Sequence, residues 1–117
     1  MNVKGIVWAG TRTERRDETV RLMRDVLKLR EVKTQEDVVV FDCENGDRVE
    51  VFGPKDNEHR FFRGIVAGFE VDDVDAAARE LRAAGIRTIG DVRRMAGYTW
   101  IHFEGPDGNV WELTQRE

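Results

Sequence analysis

Few side chains in this 117-residue chain can ligate a transition metal or act as a nucleophile, and that scarcity bounds its chemistry. Cys43 is the only cysteine, which excludes an intrachain disulfide and a cysteine-based zinc cluster. Nothing beside it argues for an activated thiolate, and it reads as a small core or strand-end residue. There are two histidines. His59 lies in a polar stretch with Pro54, Asn57 and several charges, where a surface role outweighs ligation. His102 stands two residues after Trp100, so on a strand both side chains point to one face. The basic pairs Arg15-Arg16 and Arg93-Arg94 have acidic neighbours and read as solvated surface.

The bulk properties exclude several classes of partner. Net charge is −4, with 40% hydrophobic and 36% charged residues. Mean hydropathy is −0.54, the composition of a well-solvated globular chain. Residues 1–58 hold 11 Lys/Arg against 13 Asp/Glu, and residues 59–117 hold 8 against 10. Neither half is a basic arm, so nucleic acid is not an expected partner. No apolar run approaches the ~20 residues that span a bilayer, so no membrane is expected either. Residues 1–5 lack signal-peptide anatomy, which makes a cytoplasmic location the expectation.

Hydrophobic periodicity gives the elements that must position these residues. Val3–Thr11 reads as a strand. Glu14–Leu29 follows as an amphipathic helix, with Val20, Met23, Val26, Leu27 and Arg30 at helical spacing. The β-branched run Asp37–Cys43 is a strand. Asn45-Gly46 supplies a tight turn into Arg48–Phe52. Gly53–Arg63 reads as an exposed connection. Gly64–Val71 is again a strand, and Asp72 or Asp73 can cap a helix running to about Ala84, where Gly85 stops it. Ile86–Ile89, Tyr98–Glu104 and Val110–Thr114 complete the set, the last two joined by the turn Gly105-Pro106-Asp107-Gly108-Asn109.

The order strand, helix, strands therefore occurs twice. An internal repeat constrains architecture more than any single motif. A sheet with a helix on one face leaves its other face free. Two such sheets side by side can curve into a cleft lined by that free face.

The stretch His102-Phe103-Glu104-Gly105-Pro106-Asp107-Gly108-Asn109-Val110-Trp111-Glu112-Leu113 resembles the closing hairpin of the vicinal oxygen chelate superfamily, which includes glyoxalase I, bleomycin-resistance proteins and extradiol dioxygenases. Val26-Leu27-Lys28-Leu29 is similar to that family's helix exit, with Lys in place of Gly. Phe69–Asp75 followed by Leu81–Gly85 is similar to its second strand–helix unit. The resemblance covers essentially the whole chain. It implies an α+β fold of two βαβββ modules forming a curved mixed sheet around a central cleft. One domain would span residues 1–117, with a first half over about 1–53, a connection over about 54–63 and a second half over about 64–117.

In metal-dependent members four residues hold a divalent cation, and carried over by position they fall at about Trp8, Glu50, Val66 and Glu112. The paired positions lie roughly sixty residues apart, as one duplicated unit requires. Only Glu50 and Glu112 can ligate. Transition metals want imidazole as well, so no metal and no other cofactor is expected, a weakly held divalent cation being disfavoured. Trp8 would also fill the volume of the ion.

Strand parity extends this reading to a pocket. Arg48 and Phe52 share the face of Glu50, while Val49 and Val51 turn to the helix. Val110 and Thr114 share the face of Glu112, with Trp111 and Leu113 behind. Trp8, Arg48, Phe52, Trp100 and His102 then line a cleft that suits a planar or aromatic ligand, cations included, held by stacking and a carboxylate. Two facing carboxylates repel, so at least one carboxyl pKa should rise unless Arg48, His102 or a ligand pairs with it. The leading expectation is a glyoxalase- or bleomycin-resistance-like protein that binds such a molecule without a catalytic metal. The alternative is an enzyme of the family, a lyase, isomerase or dioxygenase, using Glu50, Glu112 or His102 as base or Glu50 and Glu112 as partial metal ligands. A third reading is an interaction domain whose cleft is filled by its own side chains. The resemblance also implies a homodimer.

Overall fold

A computed structural model describes residues 1–117. Eight strands and two helices make a mixed α+β fold: β1 (Val3–Arg12), α1 (Arg16–Arg21), β2 (Arg30–Gln35), β3 (Val38–Asp42), β4 (Arg48–Phe52), β5 (Val66–Val71), α2 (Val74–Ala83), β6 (Arg87–Met95), β7 (Tyr98–Glu104) and β8 (Val110–Arg116). The chain divides into two compact units, one of Trp8–Ile65 and one of Met1–Val7 with Val66–Glu117. Each reads strand, helix, three strands, so the repeat seen in the sequence is a repeat of folding units.

In the unit of Trp8–Ile65 the strands run β2-β3-β4-β1, with β1 parallel to β4 and the other pairs antiparallel. Val20 of α1 packs with Val39, Phe41 and Val51, and Met23, Leu29 and Val49 extend the cluster. Val49 and Val51 thus turn to the helix while Glu50 faces away, as alternation requires.

The first helix departs from the sequence expectation. Regular α-helix ends at Arg21, and Leu22–Val26 forms a wider turn in which Leu27 N–H donates to Leu22 O at 2.9 Å. The extra residue per turn rotates the apolar stripe off the sheet. Val26 and Leu27 consequently lie 69% and 54% exposed instead of packing. Lys28 then takes a left-handed φ of 58°. That position favours glycine, because a Cβ there crowds the backbone. The chain reverses into β2, a strand the sequence did not announce. Every residue of Arg30–Gln35 is exposed, so it carries no alternating apolar signal.

The second unit runs β5-β8-β7-β6, again with its first and last strands parallel. Helix α2 is the better-built of the two. The Asp73 side chain accepts from Ala76 N–H at 3.0 Å, and Gln115 Oε1 accepts from Val74 N–H at 3.0 Å. Both satisfy donors that a helix start leaves open. Gly85, at φ 81°, ends it, and Ile86 N–H closes back on Leu81 O at 2.9 Å. Val74, Ala77 and Ala78 lie against Val71, Ile101 and Leu113. Each buried Val, Leu or Ile side chain is worth about 1.5–3 kcal/mol. Strand β6 runs six residues past its expected end, interrupted by a register shift between Ile89 and Arg93 near Gly90.

Candidate functional site

Register places the candidate residues on equivalent points of the two units. In one, Glu50 of β4 lies beside Gly10 of β1 and Val40 of β3. In the other, Glu112 of β8 lies beside Gly68 of β5 and His102 of β7. Each carboxylate thus projects from the central position of its sheet, on the face away from the helix, next to a glycine. Trp8 and Val66 stand one step further along their strands.

The two environments differ sharply. Glu112 and His102 are both 5% exposed. His102 Nε2 approaches Glu112 Oε1 to 3.1 Å. Burial, which strips water from the charged form, holds the Glu112 carboxyl well above the usual carboxylate range. Desolvation penalises the ionised carboxylate, so the protonated acid is the form of Glu112 that burial favours. Across this face run Ile89, His102, Glu112 and Gly68 in one row, and Arg93, Trp100, Thr114 and Glu70 in the next. Thr114 is buried and Trp100 half-buried. Arg116 Nε reaches Glu70 Oε2 at 2.9 Å and holds that carboxyl below its ordinary range.

Glu50 is half-buried and accepts a 2.9 Å hydrogen bond at Oε2 from the Trp8 indole Nε1. The indole lies over Gly10, whose absent Cβ would come within 2.2 Å of Trp8 Cη2. Glycine is what lets the ring lie flat along its own strand. Phe62 meets Trp8 edge-on at 6.3 Å. Arg48 donates from Nε to Asp42 Oδ1 at 2.9 Å, on the same face.

The Gly53–Arg63 connection, expected to be exposed, contributes to this face. His59 stacks on Phe52 with centroids 3.9 Å apart and an interplanar angle of 21°. Phe62 sits edge-on to both. His59 is therefore half-buried and not the surface residue that its polar neighbours suggested. Asp56 lies 3.0 Å from its Nδ1, and Arg12 donates to the carbonyls of Pro54 and Asp56, each at 3.0 Å. The adjacent pair Phe61-Phe62 inside a polar stretch was the sequence signal for this packing. The rings of Trp8 and Phe52, read as walls for a ligand, here touch rings of their own chain.

The positions at which the resemblance implies metal ligands do not suit a cation. A divalent ion needs lone pairs, whereas Trp8 aims an N–H proton at Glu50. Val66 has no donor atom and is buried. No three His, Cys, Asp or Glu side chains converge as a metal-ligating group.

Comparison with curated proteins gives no match. Among solved structures, methylmalonyl-CoA epimerase from Mycobacterium tuberculosis is similar at TM-score 0.76 and 19% identity, over 98% of this chain and 89% of that one. A Streptomyces coelicolor methylmalonyl-CoA epimerase variant in complex with 2-nitronate-propionyl-CoA gives 0.73 and 20%, over 98% and 99%. A glyoxalase/bleomycin resistance protein/dioxygenase superfamily member from Vibrio splendidus 12B01 gives 0.70 and 17%, over 97% and 99%. At such identities these likenesses speak of fold alone. The sequence profile of the Glyoxalase/Bleomycin resistance protein/Dioxygenase superfamily matches residues 5–113, and the chain belongs to that superfamily.

Proposed function

We propose that the protein binds a small planar or aromatic molecule on the face that carries Trp100, His102, Glu112 and Thr114, without a catalytic metal. The observation carrying this is the Glu112–His102 pair. Burying a carboxyl and an imidazole together costs free energy through desolvation. Strongly perturbed titratable groups gather where ligands are handled. Trp100 offers an aromatic surface beside the pair, and Thr114 a hydroxyl. Membership in a superfamily of small-molecule enzymes and resistance proteins agrees with this reading.

Titration calorimetry with a panel of planar aromatic compounds tests it. Saturable binding that is lost in Trp100→Ala, with the variant folded by circular dichroism, is the expected result. A folded protein that binds none of the panel sinks the reading.

A second reading, an isomerase or lyase, draws on the 3.1 Å approach of His102 to Glu112. An acid kept protonated beside an imidazole can exchange a proton with a bound carbon acid, the role of a general acid–base pair. Structural neighbours named as epimerases are consistent with it. Turnover abolished in Glu112→Gln, with ligand affinity retained, would separate catalysis from binding.

A further inference from the structure

The hairpin turns leading into β4 and β8 are built alike, with one exchange of side chains. Between β3 and β4, Gly46 N–H donates to Cys43 O at 2.9 Å and Cys43 N–H to Asp47 O at 2.7 Å. Between β7 and β8, Gly108 N–H donates to Gly105 O at 3.0 Å and Gly105 N–H to Asn109 O at 2.8 Å. Across the first turn Asn45 donates from Nδ2 to Asp47 Oδ2 at 2.8 Å and accepts at Oδ1 from Asp47 N–H at 3.0 Å. The second turn makes equivalent contacts with amide and carboxylate exchanged. There Asp107 accepts from the Asn109 backbone at 3.2 Å and from its side chain at 2.8 Å.

The exchange puts asparagine before glycine in the first turn and nowhere else in the chain. Asn2, Asn57 and Asn109 precede Val3, Glu58 and Val110, whose side chains hinder approach of the following nitrogen. Gly46 has no Cβ, stands at φ 89° and is exposed, as is Asn45. We propose that Asn45 is a modification site, where the Gly46 backbone nitrogen attacks the Asn45 side-chain carbonyl and expels ammonia, restrained by the hydrogen bonds to Asp47. A bond forms from Gly46 N to Asn45 Cγ, the Cγ–Nδ2 bond breaks, and the Gly46 amide proton leaves with the ammonia. Solvent water then opens the cyclic imide at either carbonyl, leaving aspartate or isoaspartate at this position. Nothing is oxidised or reduced. In the other turn the Asp107 carboxyl, held below its ordinary range by the Asn109 N–H, stays ionised and is a poor target for the same attack. Both products at position 45 lose the donor to Asp47 and set carboxylate against carboxylate. Isoaspartate also lengthens the backbone of a hairpin whose last rung pairs Asp42 with Arg48, so the change reaches the strand that carries Glu50.

The experiment incubates the folded full chain in mildly alkaline buffer and follows each asparagine by peptide mass spectrometry, counting isoaspartate by enzymatic methylation. Asn45 should convert first, with Asn2, Asn57 and Asn109 slower by at least about tenfold. Asp47→Ala deletes a hydrogen bond of the turn and should speed conversion about two- to tenfold, with the fold checked by circular dichroism. Asp47→Asn keeps an acceptor and should stay near the wild-type rate. Urea, which releases the turn, should speed the wild type as well. Another asparagine converting ahead of Asn45, or a folded chain that stays intact while the unfolded chain converts, would overturn the site. A wild-type rate unchanged by urea, or equal rates in folded wild type and folded Asp47→Ala, would overturn the restraint.

Discussion

Glu112 makes stability depend on pH in a direction opposite to that of most carboxylates. Its folded pKa lies above the unfolded value near 4.5, because the carboxyl is desolvated. Below the unfolded value both states hold the proton and the group costs nothing. Between the two values the native state binds a proton that the unfolded chain releases, so stability falls as pH rises. The limiting slope for one proton is about 1.4 kcal/mol per pH unit, and it persists until the folded group ionises. Glu112→Gln keeps the volume and removes the ionisation. Urea unfolding at intervals from pH 5 to pH 8 should therefore show the variant gaining on the wild type, by about 1.4 kcal/mol for each unit until the gap levels off. His102→Asn is the control for the partner. If the imidazole took up the proton and the pair were charged, Glu112→Gln would lose stability at every pH. A stability difference between wild type and Glu112→Gln that is negative and constant over this range refutes the reasoning.

Other consequences are smaller and local. Lys28→Gly should stabilise by about 0.5–1 kcal/mol, seen as a higher urea midpoint, because Lys28 occupies a left-handed conformation that glycine adopts freely. Gly10→Ala should cost about 1–3 kcal/mol, since the new Cβ would collide with Trp8 Cη2 and displace the indole from Glu50. Its tryptophan near-ultraviolet circular dichroism should weaken, and an unchanged spectrum with an unchanged melting temperature would contradict the packing. Asp73→Ala should lose about 1 kcal/mol in chemical denaturation, whereas Asp72→Ala should lose far less, because of these two aspartates it is Asp73 that accepts from the helix start.

What a single sequence conveys depends on whether its signals are local. Strands β4 and β7 begin and end where alternation and turns predict, and Gly85 ends α2 because one residue suffices to stop a helix. Parity alone separated Val49 and Val51 from Glu50, and Leu113 from Glu112. The failures come from departures that no propensity encodes. The wide turn after Arg21 left Val26 and Leu27 exposed although their spacing was helical. Strand β2 has no apolar face, and the later part of β6 carries Arg93 and Arg94, which read as solvated surface. Candidate residues were nameable, but their partners were not. That His102 meets Glu112 depends on antiparallel register, and that Trp8 donates to Glu50 depends on a glycine beneath the ring. Arg48 could have paired with either neighbouring carboxylate, and Asp42 holds it at 2.9 Å.

The opening strand is shared property. Met1–Val7 precedes the first repeat in the chain yet is grouped with the folding unit of the second, where the terminal ammonium meets Glu80 at 2.6 Å and Lys4 meets Asp72 at 2.5 Å. Cutting the polypeptide after Arg63 would then not liberate two self-sufficient repeats. The C-terminal piece would leave behind seven residues that belong to it in space. A tandem copy of the second half, expressed alone, would have to borrow that segment before it could close.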